Sequence, residues 1–146
     1  MKKCSKNNTN NNSIKFYEYY NTKDNIIIVM ELCDTSLQLL LNKRKSGFTS
    51  GEIRDILKQL NNTFKIMNDE KIVHRDLKLD NILIKFLDNN KQKFIVKLTD
   101  YGISKQLSSV SKCSTQVGTI KTMAPEVIND EEYNYKCDLW SLGIII

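Results

Sequence analysis

The chain has 146 residues, 40% of them hydrophobic and 27% charged, with one proline and five glycines. That is enough for a single domain with its own core, and it excludes collagen-like, elastic and wholly disordered classes. The 22 basic and 17 acidic side chains leave a net charge of +5, but the lysines are scattered and not interleaved with aromatics, so no nucleic-acid partner is expected.

The four cysteines, Cys4, Cys33, Cys113 and Cys137, lie far apart, and His74 is the single histidine. A zinc site would need clustered ligands, so the thiols read as reduced and intracellular. Lys2 and Lys3 lead into polar residues and not an apolar signal segment, and the longest apolar runs are far too short to span a membrane. A cytoplasmic location is the expectation.

In chain order, residues 1–12 form an Asn-rich tract that cannot bury a core and is expected to be disordered. Ile14 to Tyr20 and Ile26 to Leu32, rich in aromatic and β-branched residues around a polar turn, predict a hairpin. A short helix is expected from Ser36 to Lys45, broken at Gly47. Thr49 and Glu52 then have capping-box spacing, opening an amphipathic helix with Ile53, Ile56, Leu57, Leu60, Phe64 and Met67 on its core face. Asn81 to Phe86 and Phe94 to Leu98 predict two more strands around Asp88-Asn89-Asn90. The polar stretch Ser104 to Thr122 predicts a long loop, of a length that is usually functional. Cys137 to Ile146 reads as a helix.

The chemistry-bearing residues stand at the ends of these elements. His74-Arg75-Asp76-Leu77-Lys78-Leu79-Asp80-Asn81 lies between the long helix and a strand. Asp100-Tyr101-Gly102 follows the next strand, 19 positions after Asn81. Gly118-Thr119, Ala124-Pro125-Glu126 and Asp138-Leu139-Trp140-Ser141-Leu142-Gly143 then come in that order.

This set, in this order and spacing, resembles the serine/threonine branch of the eukaryotic protein kinase family over residues 14–146. The resemblance implies an α+β fold: a two-lobe kinase, truncated to the last strands of the small lobe and the first part of the mainly helical large lobe. Residues 13–146 would be a partial kinase domain, with small-lobe strands and hinge in 13–33 and an incomplete large lobe in 34–146. It also implies transfer of a phosphoryl group from ATP, with Mg²⁺, to a serine or threonine hydroxyl of a protein substrate. Asp76 would accept or orient the proton of the attacking hydroxyl, and Lys78 would offset charge on the phosphate. Asn81 and Asp100 would supply hard oxygen ligands to Mg²⁺. Met30 would be the hinge gatekeeper, the Glu31 carbonyl and Cys33 amide would hydrogen-bond adenine, and Leu83 would lie beneath it.

Supporting roles would fall to His74, packed in a core spine; Tyr101, in a place where Phe is usual; and Thr119, Glu126 and Asp138, the last tying its helix to the His74-Arg75 backbone. A buried Tyr101 hydroxyl would need a partner. Arg75 beside Asp76 implies control by an activating kinase, with Thr115 the first candidate phosphosite and Ser114 the second. Asp88-Asn89-Asn90 with its flanking strands, and the run Tyr135 to Trp140, also look like the autophagy-initiating kinases. No glycine precedes Gly47, so these residues contain no Gly-rich phosphate loop, and no lysine stands where the ATP-anchoring one would be. The 146 residues alone are therefore expected to be inactive, the alternative role being a kinase-like binding or regulatory fragment.

Overall fold

A computed structural model describes residues 12–101, 105–106, 119–129 and 131–146. Its elements, in chain order, are β1 (Phe16–Asn21), β2 (Ile26–Met30), β3 (Thr35–Ser36), α1 (Leu37–Asn42), α2 (Ser50–Asp69), β4 (Ile72–Val73), β5 (Ile82–Phe86), β6 (Phe94–Leu98), β7 (Lys105–Gln106), α3 (Pro125–Ile128) and α4 (Lys136–Ile145). Single 3₁₀ turns cover Leu79–Asn81 and Ile120–Thr122. The arrangement is the α+β architecture expected of a kinase-like chain.

Helix α2 organises the core. Its first turn is closed by the expected capping box: the Glu52 amide donates to Thr49 Oγ1 at 3.3 Å, and the Thr49 amide donates to Glu52 Oε2 at 2.8 Å. Arg44 pairs with Glu52 at 2.7 Å and fixes the incoming loop. Ile56, Leu60, Thr63 and Met67 recur every three or four residues and are buried. They face an antiparallel sheet of order β3-β5-β6, whose alternate residues Ile82, Ile84, Val96 and Leu98 point inward. Leu37 and Leu77 complete this core. Ile53, Leu57 and Phe64 are only half-buried, so the contacting stripe of α2 is narrower than its apolar periodicity implied. A second cluster joins Val73 to Met123, Ala124, Val127, Tyr133 and Cys137.

Four local features depart from the sequence reading. Ile72–Val73 pairs with Lys105–Gln106, so the expected long loop carries a short strand at one end and a 3₁₀ turn at the other. Ala124-Pro125-Glu126 opens a helical turn, with Pro125 where a missing N–H costs nothing. Asn81 belongs to the turn before β5 and not to the strand. Asn12, placed by its neighbours in a polar tail, is docked: its side chain donates to the Val96 carbonyl at 2.9 Å and to Gln59 at 3.2 Å, and its carbonyl accepts the Leu98 amide. The hairpin β1–β2 forms as expected, with an irregularity between Phe16 and Glu18, and nearly all of it is exposed.

Leu60 is fully buried at the centre of α2. Leu60→Ala is expected to lower unfolding stability by about 2–5 kcal/mol, read from the urea midpoint. A loss below about 1 kcal/mol would show that the α2–sheet core is not the main one.

Candidate active site

Between β4 and β5 the chain turns sharply through His74 to Asn81, and most of that turn is tied down by hydrogen bonds. Arg75 has φ 71, in the left-handed region that a non-glycine residue enters only at a cost. The strain is held from below by α4. Asp138, 2% exposed, accepts the His74 amide on Oδ2 at 2.8 Å and the Arg75 amide on Oδ1 at 2.9 Å. Burial pushes the Asp138 carboxyl above the ordinary range, and the two amides pull against that rise.

His74 is wholly buried against the Tyr101 ring, 5.1 Å between centroids. Its Nδ1 faces the Asp76 amide at 3.4 Å, and an amide can only donate. The ring proton therefore sits on Nε2, which donates to the Thr99 carbonyl at 2.9 Å. The imidazole links the two loops and has no proton-accepting nitrogen to spare.

Asp76 is the node. Lys78 Nζ donates to its Oδ2 at 2.6 Å, Thr119 Oγ1 to its Oδ1 at 2.6 Å, and Asn81 Nδ2 to Oδ2 at 3.1 Å and to the backbone carbonyl at 2.8 Å. Burial raises the carboxyl, but the hydrogen bonds from Lys78, Thr119 and Asn81 outweigh it and hold Asp76 below the usual range. Lys78 is raised in return, first by its bond to Asp76, with the charges of Asp100 and Asp80 adding to it. Asp100, with φ 61, thus stands within electrostatic reach of the same ammonium. Asn81 spends its NH₂ on Asp76, leaving its amide oxygen as the acceptor end. One amide oxygen and one carboxylate make a hard, lightly charged donor set, which suits Mg²⁺ better than a softer metal. Among the described residues no three His, Cys, Asp or Glu side chains cluster as a metal cage would need.

The strand leading out of the hairpin is held differently. Glu31 accepts from Lys85 on Oε1 at 2.8 Å and from Lys97 on Oε2 at 2.9 Å. Burial would raise its carboxyl, yet the two lysines bring it down to about 2. With its side chain so engaged, Glu31 offers only backbone to anything else. Leu83 lies on the same face of β5 as Lys85, opposite Lys97. Cys33 is half-buried, its thiol pushed up by burial and by the Glu31 charge. Met30 is exposed, at 45%.

The turn and its neighbours thus bring together His74, Arg75, Asp76, Lys78, Asn81, Tyr101, Thr119 and Asp138, with Asp100 beside Lys78. Glu126 lies half-buried in α3, apart from that node, and Thr115 and Ser114 fall outside the described residues. Sequence reasoning missed the residues that only brace. Thr122 Oγ1 donates to the Leu77 carbonyl at 3.1 Å, and Ser141 Oγ donates to the Thr122 carbonyl at 2.7 Å, stitching α4 to the turn. Lys85, Lys97 and Ser13 were likewise silent. For Ser141, a polar residue one turn after the buried Cys137, that position was the available signal; Lys85 and Lys97 lie on the strand faces turned away from Ile84 and Val96 and gave none.

Residues 1–146 match the family described as protein kinase domain. The chain is 38% identical over 138 residues to serine/threonine-protein kinase 33 of Bos taurus, covering 91% of this chain and 28% of that protein. It is 37% identical over 147 residues to serine/threonine-protein kinase pakG of Dictyostelium discoideum, covering 99% and 12%. To serine/threonine-protein kinase polo of Drosophila melanogaster it is 32% identical over 136 residues, covering 92% and 23%. The chain therefore spans less than a third of the length of each of these relatives. Among the described residues no helix is long and apolar enough to cross a membrane.

The Glu31 pairing makes a pH prediction. The folded value of about 2 lies below the ordinary 4.5, so the folded state releases a proton that the unfolded state keeps between them. The stability this contributes is complete above pH 4.5 and is lost as pH falls towards 2. Glu31→Gln is expected to flatten that part of the acid-unfolding curve and, by stranding the Lys97 ammonium, to cost about 3 kcal/mol at neutral pH. Urea midpoints across the acid range check both; an unchanged acid slope would remove Glu31 as their source.

Proposed function

Because the chain belongs to the protein kinase domain family, we propose that it carries the catalytic loop of a serine/threonine protein kinase that moves the γ-phosphoryl group of Mg-ATP to a protein hydroxyl. The observation that carries this reading is the Asp76 carboxylate, buried and ionised, gripped by Lys78, Thr119 and Asn81 at once.

That geometry suits phosphoryl transfer, which asks protein groups for placement and charge compensation more than for covalent chemistry. Asp76 receives the substrate hydroxyl as a hydrogen-bond acceptor. Its lowered pKa makes it a weak base, so its main contribution is to aim the attacking oxygen, with the proton leaving late. Lys78, bridging from Asp76 toward Asp100, neutralises charge on the group in transfer. Thr119 keeps one carboxylate oxygen fixed. Asn81 and Asp100 are proposed to hold Mg²⁺, which when bound supplies Lewis-acid neutralisation of the phosphate oxygens. The Glu31 carbonyl and Cys33 amide are assigned to the adenine edge, Leu83 to its face and Met30 to the hinge. Thr115, then Ser114, are assigned as targets of an activating kinase, with Arg75 as the cation that receives the phosphate.

The test uses the longest natural polypeptide that carries this sequence. Asp76→Asn is expected to reduce phosphate transfer to a serine-containing protein substrate by at least about 10²-fold, while ATP affinity changes by less than about threefold. Asp100→Ala is expected to abolish the Mg²⁺ dependence of ATP binding. Turnover that survives Asp76→Asn would sink the proposal.

A further inference from the structure

We propose that Ser13 and Tyr101 form a hydroxyl latch that positions Asp100, resting on the kinase reading above for what Asp100 then holds. Tyr101 Oη and Ser13 Oγ lie 3.2 Å apart, although 88 positions separate them in sequence.

The anchor on the Ser13 side is rigid. The Ile14 amide donates to the Leu98 carbonyl at 2.8 Å, and the Leu98 amide donates to the Asn12 carbonyl at 2.8 Å, so residues 12–14 run parallel to the end of β6 and clasp it on both sides of Ser13. Asn12 adds its bonds to Val96 and Gln59, which in turn accepts the Val96 amide at 2.9 Å. Ser13 is thereby fixed to the same strand that delivers Asp100.

The far side needs holding. Only Thr99 separates Leu98 from Asp100, and Asp100 sits at φ 61, a conformation that relaxes unless its neighbours forbid it. Thr99 is secured at both ends: its amide donates to the Asn81 carbonyl at 3.0 Å, and its carbonyl accepts His74 Nε2. Tyr101 is secured by its ring against His74 and by its hydroxyl on Ser13. A phenylalanine would keep the ring contact and lose the second hold. The hydroxyl pair therefore closes a four-residue arch, Leu98 to Tyr101, whose crown is the Asp100 carboxylate near Lys78. Tyr101 and Ser13 are positioning residues: neither touches the reacting atoms, and both act through Asp100.

Two readouts test this on the longest natural polypeptide. In calorimetric titrations with ADP, Tyr101→Phe and Ser13→Ala are each expected to raise the Mg²⁺ concentration needed for half-maximal nucleotide binding by roughly 3- to 10-fold, the worth of one ordinary hydrogen bond. The double variant should be no worse than either single one, because both remove the same contact. Ser13→Thr, which keeps the hydroxyl, should stay at the wild-type value. By NMR hydrogen exchange without nucleotide, the Thr99 amide should exchange faster by a similar factor in both single variants. Wild-type behaviour of both singles in both readouts, or single effects that simply add in the double variant, overturns the latch. If the wild-type protein binds no nucleotide, the kinase reading fails, and Thr99 exchange still decides whether the latch exists.

Discussion

A carboxylate shut away from water costs several kcal/mol unless polar groups replace its hydration, and Asp138 is almost wholly enclosed by α4 and the turn above it. What replaces the water is a pair of backbone amides, those of His74 and Arg75. The exchange benefits both sides. The turn could not otherwise keep Arg75 at φ 71, and α4 could not otherwise bury a charge. Everything that converges on Asp76 follows, because once His74 and Arg75 are fixed the next residues have only one direction to run. Lys78 and Asn81 then meet the Asp76 carboxylate from the same turn, and Thr119 meets it from a distant segment.

The same logic repeats at Asp100, after Arg75 the second residue of the site in a left-handed conformation. There the support comes through His74, whose neutral ring spans from the Asp76 amide to the Thr99 carbonyl. One imidazole thus couples the two strained positions. A side chain so placed is worth most when its proton stays where it is, which is why the single histidine of the chain is a brace and not a base.

Much of this was legible in the residues. The capping box, the stripe through Ile56, Leu60 and Met67, and the strand Phe94–Leu98 follow from local rules of spacing, and local rules survive folding. The short pairing of Ile72–Val73 with Lys105–Gln106 was not legible, since two residues carry no periodicity. Nor was the docking of Asn12, whose neighbours are all polar and whose bonds run to Val96 and Gln59, far along the chain. Asp76, Lys78, Asn81 and Asp100 could be singled out in advance because two short runs, His74 to Asn81 and Asp100 to Gly102, resemble a known family's motifs in order and spacing. The braces Ser13, Lys97, Thr122 and Ser141 could not, because each gains its meaning from a partner 19 or more positions away.

The two buried aspartates show how one small region separates tasks. Asp138 and Asp76 both lose water, which alone would raise both. Asp138 receives two backbone amides and a smaller pull from the Arg75 charge, and burial wins. Asp76 receives an ammonium, a hydroxyl and an amide, and the donors win. Carboxyls driven apart in this way cannot exchange roles. On the proposed reading, the catalytic carboxylate stays charged because the Lys78 ammonium, the Thr119 hydroxyl and the Asn81 amide all reach it, while the structural one beneath it answers first to burial.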